Sequence, residues 1–257
     1  MFNKILTKIL KKTGYVLETR QEAYSFVAEI LMLIPEPVII YNYIGEHNTK
    51  LEKVYETFYE YQSLLDVFPS AIADGKHRSR RELSIKPSQF GAHSNLIAVL
   101  AKEMMDKNST LWIDAEDYYL SENQLVLVEQ LSSLYGPNHL GITLQLKSDR
   151  CFEDAKRCLE NGIKIRLCKG AYPSDMLDNH MLVSKARNII SEDKKGLIEI
   201  ATMRDANLVM LAIRNKLPLQ TLYGWHKKFL AHPYGLKIYV PFGTDWWPYI
   251  KRRIRRK

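Results

Sequence analysis

Cysteine is scarce in this chain. Cys151, Cys158 and Cys168 are odd in number and show no CxxC spacing. That excludes a disulfide framework and a cysteine metal site, and leaves reduced thiols of a cytoplasmic protein. No apolar run approaches the roughly 18 residues of a membrane span. The start Met1-Phe-Asn-Lys-Ile-Leu lacks the long apolar core and small-residue cleavage site of a signal peptide. No GxGxxG follows a strand-like run, which argues against a dinucleotide fold. His47, His77, His93, His139, His180, His226 and His232 are scattered, and none stands in a nucleophile motif or beside a cysteine pair. No zinc-finger, RRM, KH or helix-turn-helix signature supports nucleic-acid binding.

What is present is an ordinary globular composition, with 46% hydrophobic and 26% charged residues over 257 positions. The chain reads as one domain, 1–257, with an N-terminal helical segment over 1–37. The net charge of +8 suits an anionic substrate or an anionic surface. Residues 2–12 put Phe2, Ile5, Leu6, Ile9 and Leu10 on one helical face among lysines. This is either a helix packed on its own domain or one lying on a membrane surface. A second helix is predicted over 20–34.

From residue 38 onward, apolar strand-like runs alternate with helical patterns. The runs begin near Val38, Glu82, Leu111, Leu140, Gly162, Leu197, Leu217 and Leu236. Helices are predicted over 49–65, 92–106, 121–134, 151–160, 179–191, 205–215 and near 224–232. Eight β/α units in about 220 residues predict an α/β fold of the (β/α)8 barrel type over 38–257. In such a barrel chemistry sits at the carboxyl ends of the strands. Lys86, Asp114, Glu116, Gln145, Arg166, Lys169, Tyr172, Thr202 and Tyr239 fall at or near those ends. Charged groups in apolar runs need partners, so each alone fits a structural ion pair; as a set they predict a site. Asp114 and Glu116, two apart, are expected to face the same way. At the C-terminus six of the last seven residues are Lys or Arg. Tyr249 shares a helical face with Arg252 and Arg253, which reads either as a solvated basic tail or as a clamp for a carboxylate or phosphate.

Ile163-Lys-Ile-Arg166-Leu-Cys-Lys169-Gly170-Ala171-Tyr172 resembles the R-L-V-K-G-A-Y motif of the proline dehydrogenase family. Leu219-Gln220-Thr-Leu222-Tyr223-Gly224 resembles its F-Q-x-L-Y-G. Tyr239-Val-Pro241-Phe-Gly243-Thr-Asp245-Trp246-Trp247-Pro248-Tyr249-Ile-Lys-Arg252-Arg253 resembles its Y-V-P-Y-G-x-D-W-Y-P-Y-x-x-R-R. Ser84-Ile-Lys86, Ile113-Asp114-Ala115-Glu116, Ala201-Thr202 and Ile44-Gly45-Glu46 fit the same pattern in order. The resemblance implies a distorted (β/α)8 barrel holding FAD. It implies oxidation of L-proline to pyrroline-5-carboxylate, with electrons passing to a quinone-type acceptor. By matching position, Lys86, Arg252 and Arg253 would bind the substrate carboxylate, and Tyr172, Leu222, Tyr239 and Tyr249 would enclose its ring. Asp114, Ala115, Gln145, Arg166, Lys169, Gly170, Ala171 and Thr202 would line the flavin side. Met203 stands where the family has a histidine toward the flavin, and Arg256 where it has a glutamate. Asn42 replaces an acidic residue of the first strand, and the segment after Tyr172 is short for the family. These departures leave two other readings: a flavin oxidoreductase for a related cyclic amino acid such as hydroxyproline, and a flavin-free barrel serving as a binding or scaffold protein. Cytoplasmic placement is expected, with residues 2–12 as the point of any peripheral contact at the inner face of a membrane.

Overall fold

A computed structural model describes residues 16–33, 37–67, 81–117, 120–170, 178–203, 205–246 and 249. The amphipathic stretch 2–12 lies outside them. Eight parallel strands close into a barrel in chain order. They are β1 (Val38–Tyr43), β2 (Arg81–Ile85), β3 (Leu111–Ile113), β4 (Leu140–Gln145), β5 (Lys164–Cys168), β6 (Ile198–Ala201), β7 (Leu219–Leu222) and β8 (Leu236–Phe242). Helix α1 (Arg20–Leu33) precedes the barrel. Between strands run α2 (Leu51–Leu65), α3 (Ser94–Asp106), α4 (Ser121–Tyr135), α5 (Cys151–Glu160), α6 (Asn179–Glu192) and α7 (Ala206–Arg214). The strict alternation of apolar β runs with amphipathic helices thus gives the (β/α)8 architecture, because parallel neighbours require crossover helices.

Local chemistry sets the helix starts. Asp178 accepts a hydrogen bond from the Met181 backbone N–H and caps α6, while Asp205 accepts from Asn207 and Leu208 and caps α7. Thr19 Oγ1 accepts from the Glu22 N–H at the start of α1. The helix expected near 224–232 is instead a single 3-10 turn, His226–Phe229. Gly224 and Gly235 both hold positive φ, 87° and 97°, and Pro233 lies between, so the chain has no room to propagate an α-helix there.

The main apolar core lies between the sheet and its helices. It takes in Ile39 and Tyr41 from β1, Leu83 and Ile85 from β2, Ile165 and Leu167 from β5, and Leu64, Leu100 and Val128 from the surrounding helices. The barrel axis is more polar. Near its amino end, buried Lys237 Nζ donates to Glu82 Oε1 at 2.9 Å and to Glu199 Oε1 at 2.7 Å. Gln220 Nε2 donates to Glu199 Oε2 and Trp112 Nε1 to Glu82 Oε2, each at 2.6 Å. Burial alone would lower the Lys237 pKa, but the two carboxylates outweigh it and hold the ammonium above its ordinary range. Gly141, on β4, makes space for the indole: a Cβ there would stand 2.4 Å from the Trp112 ring. Among the described residues, no helix is long and apolar enough to cross a membrane.

Candidate active site

The carboxyl end of the barrel carries a second polar layer, centred on Asp114. Its backbone N–H donates to Ile85 O at 2.8 Å, which seats it one residue beyond β3. Oδ1 accepts from Arg166 Nη1 at 2.5 Å, Ser84 Oγ at 2.7 Å and Thr143 Oγ1 at 3.4 Å. Oδ2 accepts from Tyr239 OH at 2.5 Å. One carboxylate therefore ties side chains of β2, β4, β5 and β8 to the end of β3. Burial, the neighbouring Asp114 charge and the bond to it hold the Tyr239 phenol well above its ordinary pKa, so it stays a donor.

Arg166 is the cation of this layer. Its Nη1 also contacts Ser84 Oγ at 3.1 Å and Thr143 Oγ1 at 3.2 Å. The guanidinium carbon lies 4.7 Å from the Trp112 ring centroid and 5.4 Å from that of Tyr239. Trp112 in turn lies 5.4 Å from Lys237 Nζ, so the indole links the two polar layers. Arg166 Nε and Nη2 are buried and find no hydrogen-bond partner among the described residues. Buried donors of that kind ask for an acceptor.

The other residues assigned to the flavin side sit around the same end. Gln145 closes β4 and its Nε2 donates to Glu116 O at 3.3 Å. Gly170 holds φ 111°, and a Cβ there would come 3.1 Å from Gln145 Oε1, so the position needs glycine both for its backbone and for the close approach. Lys169 Nζ stands 3.8 Å from Asp205 Oδ2, and Thr202 Oγ1 accepts from the Asp205 N–H. Ala115 is half-buried beside Glu116.

An apolar cluster adjoins the polar layer. Leu222, Tyr249, Ile44 and Val16 form its buried part; Met203, Tyr239, Trp225 and Trp246 pack against it. Three residues expected to enclose a ring, Leu222, Tyr239 and Tyr249, thus come together. Met203, in the position of the family's histidine, presents a thioether to the same cluster. Lys86, just past β2, forms a close ion pair with Glu46 of the Ile44-Gly45-Glu46 motif. The loop that carries it is fixed by Tyr61, whose OH donates to Ser84 O at 2.9 Å and lies 3.2 Å from Gln89 Oε1, while Gln89 Oε1 accepts from the Lys86 N–H at 2.9 Å. Asn42 donates from Nδ2 to Ser84 O at 2.8 Å. Ala171, Tyr172, Arg252, Arg253 and Arg256 lie outside the described residues.

One expectation needs correction. Asp114 and Glu116 do not share a direction, because β3 ends at Ile113 and strand alternation ends with it. Glu116 turns to the outer loops, where it accepts from the Ser88 N–H and hydroxyl and from Gln124 Nε2. It pins the turn after β2 to α4. Several participants escape the sequence reading. Thr143 and Trp112 look like ordinary strand residues. Glu82, Glu199 and Lys237 carry a usable signal, since charges inside apolar strand runs require partners.

Comparison with known proteins agrees with this geometry. The family model described as proline dehydrogenase matches residues 35–178. "Proline dehydrogenase 1" of Bacillus subtilis (strain 168) is 26% identical over 295 residues, covering 99% of this chain and 92% of the relative. "Proline dehydrogenase" of Deinococcus radiodurans is 23% identical over 206 residues, covering 72% and 63%. In fold the chain is similar to proline utilization A from Bdellovibrio bacteriovorus, with a TM-score of 0.74 at 17% identity. That alignment covers 95% of this chain and 32% of the larger one. A family match over more than half of the residues, on a barrel whose Asp114, Arg166 and Tyr239 meet at its carboxyl end, establishes that this chain belongs to the proline dehydrogenase family.

Proposed function

We propose that this protein oxidises L-proline to pyrroline-5-carboxylate with FAD, and that a quinone-type acceptor reoxidises it. The observation that carries the reading is Arg166: a buried guanidinium, fixed on one side by Asp114, Ser84 and Thr143, with the N–H groups of Nε and Nη2 left over. Those donors suit the acceptor edge of a flavin ring. Asp114, Ala115, Gln145, Arg166, Lys169, Gly170, Ala171, Thr202 and Met203 would hold the cofactor. When bound, the flavin supplies the two-electron acceptor for the hydride that leaves the ring carbon next to nitrogen.

The chain's own groups bind and orient. Lys86, Arg252 and Arg253 would take the proline carboxylate, and Leu222, Tyr239, Tyr249 and Tyr172 would enclose the ring. Their task is positional, because the redox chemistry belongs to the cofactor. Asp114 orients both Arg166 and Tyr239, which couples the flavin side to the ring side. Exclusion of water falls to the apolar cluster around Leu222.

The test is spectroscopic. The purified protein is expected to carry a yellow flavin band that L-proline bleaches without oxygen. A colourless protein that takes up no added FAD would overturn the reading. Flavin bleached only by another cyclic amine, such as hydroxyproline, would change the substrate.

A further inference from the structure

The N-terminal segment enters the candidate site from the far end of the sequence. On its β7 side, β8 loses its neighbour early: the register ends with Leu222 opposite Tyr239, and the last bond runs from Tyr223 N to Tyr239 O at 2.8 Å. Leu17 takes the vacated seat. Its N–H donates to Pro241 O at 3.1 Å and its carbonyl accepts from the Gly243 N–H at 2.9 Å, a parallel bridge to Phe242. Two residues later, Thr19 caps α1, and Glu22 Oε2 accepts from the Glu18 N–H at 2.9 Å. Helix α1 is held down in turn, with Phe26 4.0 Å from the Tyr223 ring. The bridge at Leu17 and the helix cap at Thr19 thus anchor the chain immediately after residue 16. The Val16 side chain is 3% exposed and belongs to the small cluster of Ile44, Leu222 and Tyr249, not to the main core.

We infer that Val16 is a specificity-determining wall of the substrate pocket, setting the ring size it admits. The inference rests on the reading of Leu222 and Tyr249 as the ring enclosure. A β-branched side chain has few rotamers, and the bridge on the very next residue restricts how far it can retreat. It limits the pocket by shape, where Leu222 and Tyr249 supply contact area. No motif near the barrel strands announces this role, since Val16 belongs to a segment more than 200 positions before Tyr249 in the chain.

The experiment compares the full-length wild type with Val16→Ala and Val16→Phe, using L-proline and its six-membered homologue L-pipecolate. A single methylene in an apolar pocket is worth roughly 10- to 200-fold in kcat/KM. Val16→Ala is expected to raise the pipecolate-to-proline ratio of kcat/KM by roughly tenfold or more. Val16→Phe is expected to lower proline kcat/KM by a similar factor through KM, with flavin content unchanged. Each variant's melting temperature and flavin content show whether it folds, and the two substitutions push in opposite directions. A wild type that turns over proline, with both ratios unmoved in the variants, overturns the inference alone. A wild type without flavin or proline turnover overturns the functional reading and this inference with it.

Discussion

Asp114 and Arg166 form a buried ion pair at 2.5 Å across the carboxyl end of the barrel, joining the end of β3 to β5. The pair also organises the hydroxyls of Ser84 and Thr143 and the phenol of Tyr239. Removing one charge from such a pair leaves the other uncompensated in a low-dielectric interior, which costs about 3–5 kcal/mol. Asp114→Asn keeps the shape of the side chain and loses the charge. It is expected to lower the unfolding free energy by about that amount, and flavin content is expected to fall with it as Arg166 loses its anchor. Denaturant unfolding and the flavin-to-protein ratio check both effects; a fully stable variant with normal flavin would contradict the central role given to the pair.

Tyr239 should reveal itself at alkaline pH. Its folded pKa lies well above the ordinary phenol value of 10.0, chiefly through burial and the Asp114 charge. The folded state thus holds a proton that the unfolded state releases above about pH 10. Stability from this group is complete below that value and declines as pH rises toward the folded pKa. Tyr239→Phe removes the titration. Its stability is expected to fall less steeply than that of the wild type between pH 9.5 and pH 11, the difference in slope growing through pH 10 toward a limit of roughly 1.4 kcal/mol per pH unit. The readout is a urea midpoint series over pH, and parallel slopes for the two proteins would refute the assignment.

Lys237 holds together the lower layer, between Glu82 and Glu199. Lys237→Met leaves two buried carboxylates with no cation between them. A loss of about 3–5 kcal/mol is expected. Adding Glu82→Gln and Glu199→Gln removes the uncompensated charges, and the triple variant is expected to recover part of the loss. Thermal melts of the single and triple variants test this; a triple variant less stable than the single one would mean that the carboxylates stabilise the barrel by some route other than the lysine.

The layer between these two groups depends on a missing side chain. A Cβ at Gly141 would stand 2.4 Å from the Trp112 ring, against carbons of an indole whose Nε1 donates to Glu82 and whose ring packs under Arg166. Gly141→Ala is therefore expected to cost about 1–3 kcal/mol as an overpacked core substitution. It should also shift the absorption of the bound flavin, because the indole supports Arg166. Visible spectra and melting curves together check this, since destabilisation with an unaltered spectrum would separate Trp112 from the site.

The barrel was legible because its signals are local and repeated. Each strand is a short apolar run, each helix has its own period, and eight such units leave few topologies. The exception at His226–Phe229 shows the limit: glycine and proline near the run stop the helix, and a hydrophobic pattern alone does not reveal that. At the site, Arg166, Asp114 and Tyr239 were visible as polar residues in apolar strands and as parts of motifs. Their mutual bonding was not, because it depends on which side chains of five strands reach the axis at one level. Glu116 departs from the direction expected of it because strand alternation stops where β3 ends, at Ile113. Val16 was invisible, since its place depends on a backbone bridge to a strand more than 200 positions away.

Lys86 offers the last prediction, through its ion pair with Glu46. Both side chains are largely buried, at 11% and 14% exposure, so the ammonium is not a solvated surface charge. If Lys86 receives the proline carboxylate, Glu46 competes with the substrate for the same cation, and binding must share or displace that contact. Glu46→Gln weakens the competitor and keeps the volume. It is expected to lower the KM for proline about three- to tenfold, with kcat little changed, because a uniform gain in binding does not alter the step between bound states. Lys86→Met removes the cation itself and is expected to raise KM by at least tenfold, since a charge-assisted bond of about 1.5–3 kcal/mol is lost. The two variants therefore move KM in opposite directions. Steady-state kinetics with L-proline measures both; a KM that rises in Glu46→Gln would show instead that Glu46 positions Lys86 for the carboxylate and does not compete with it.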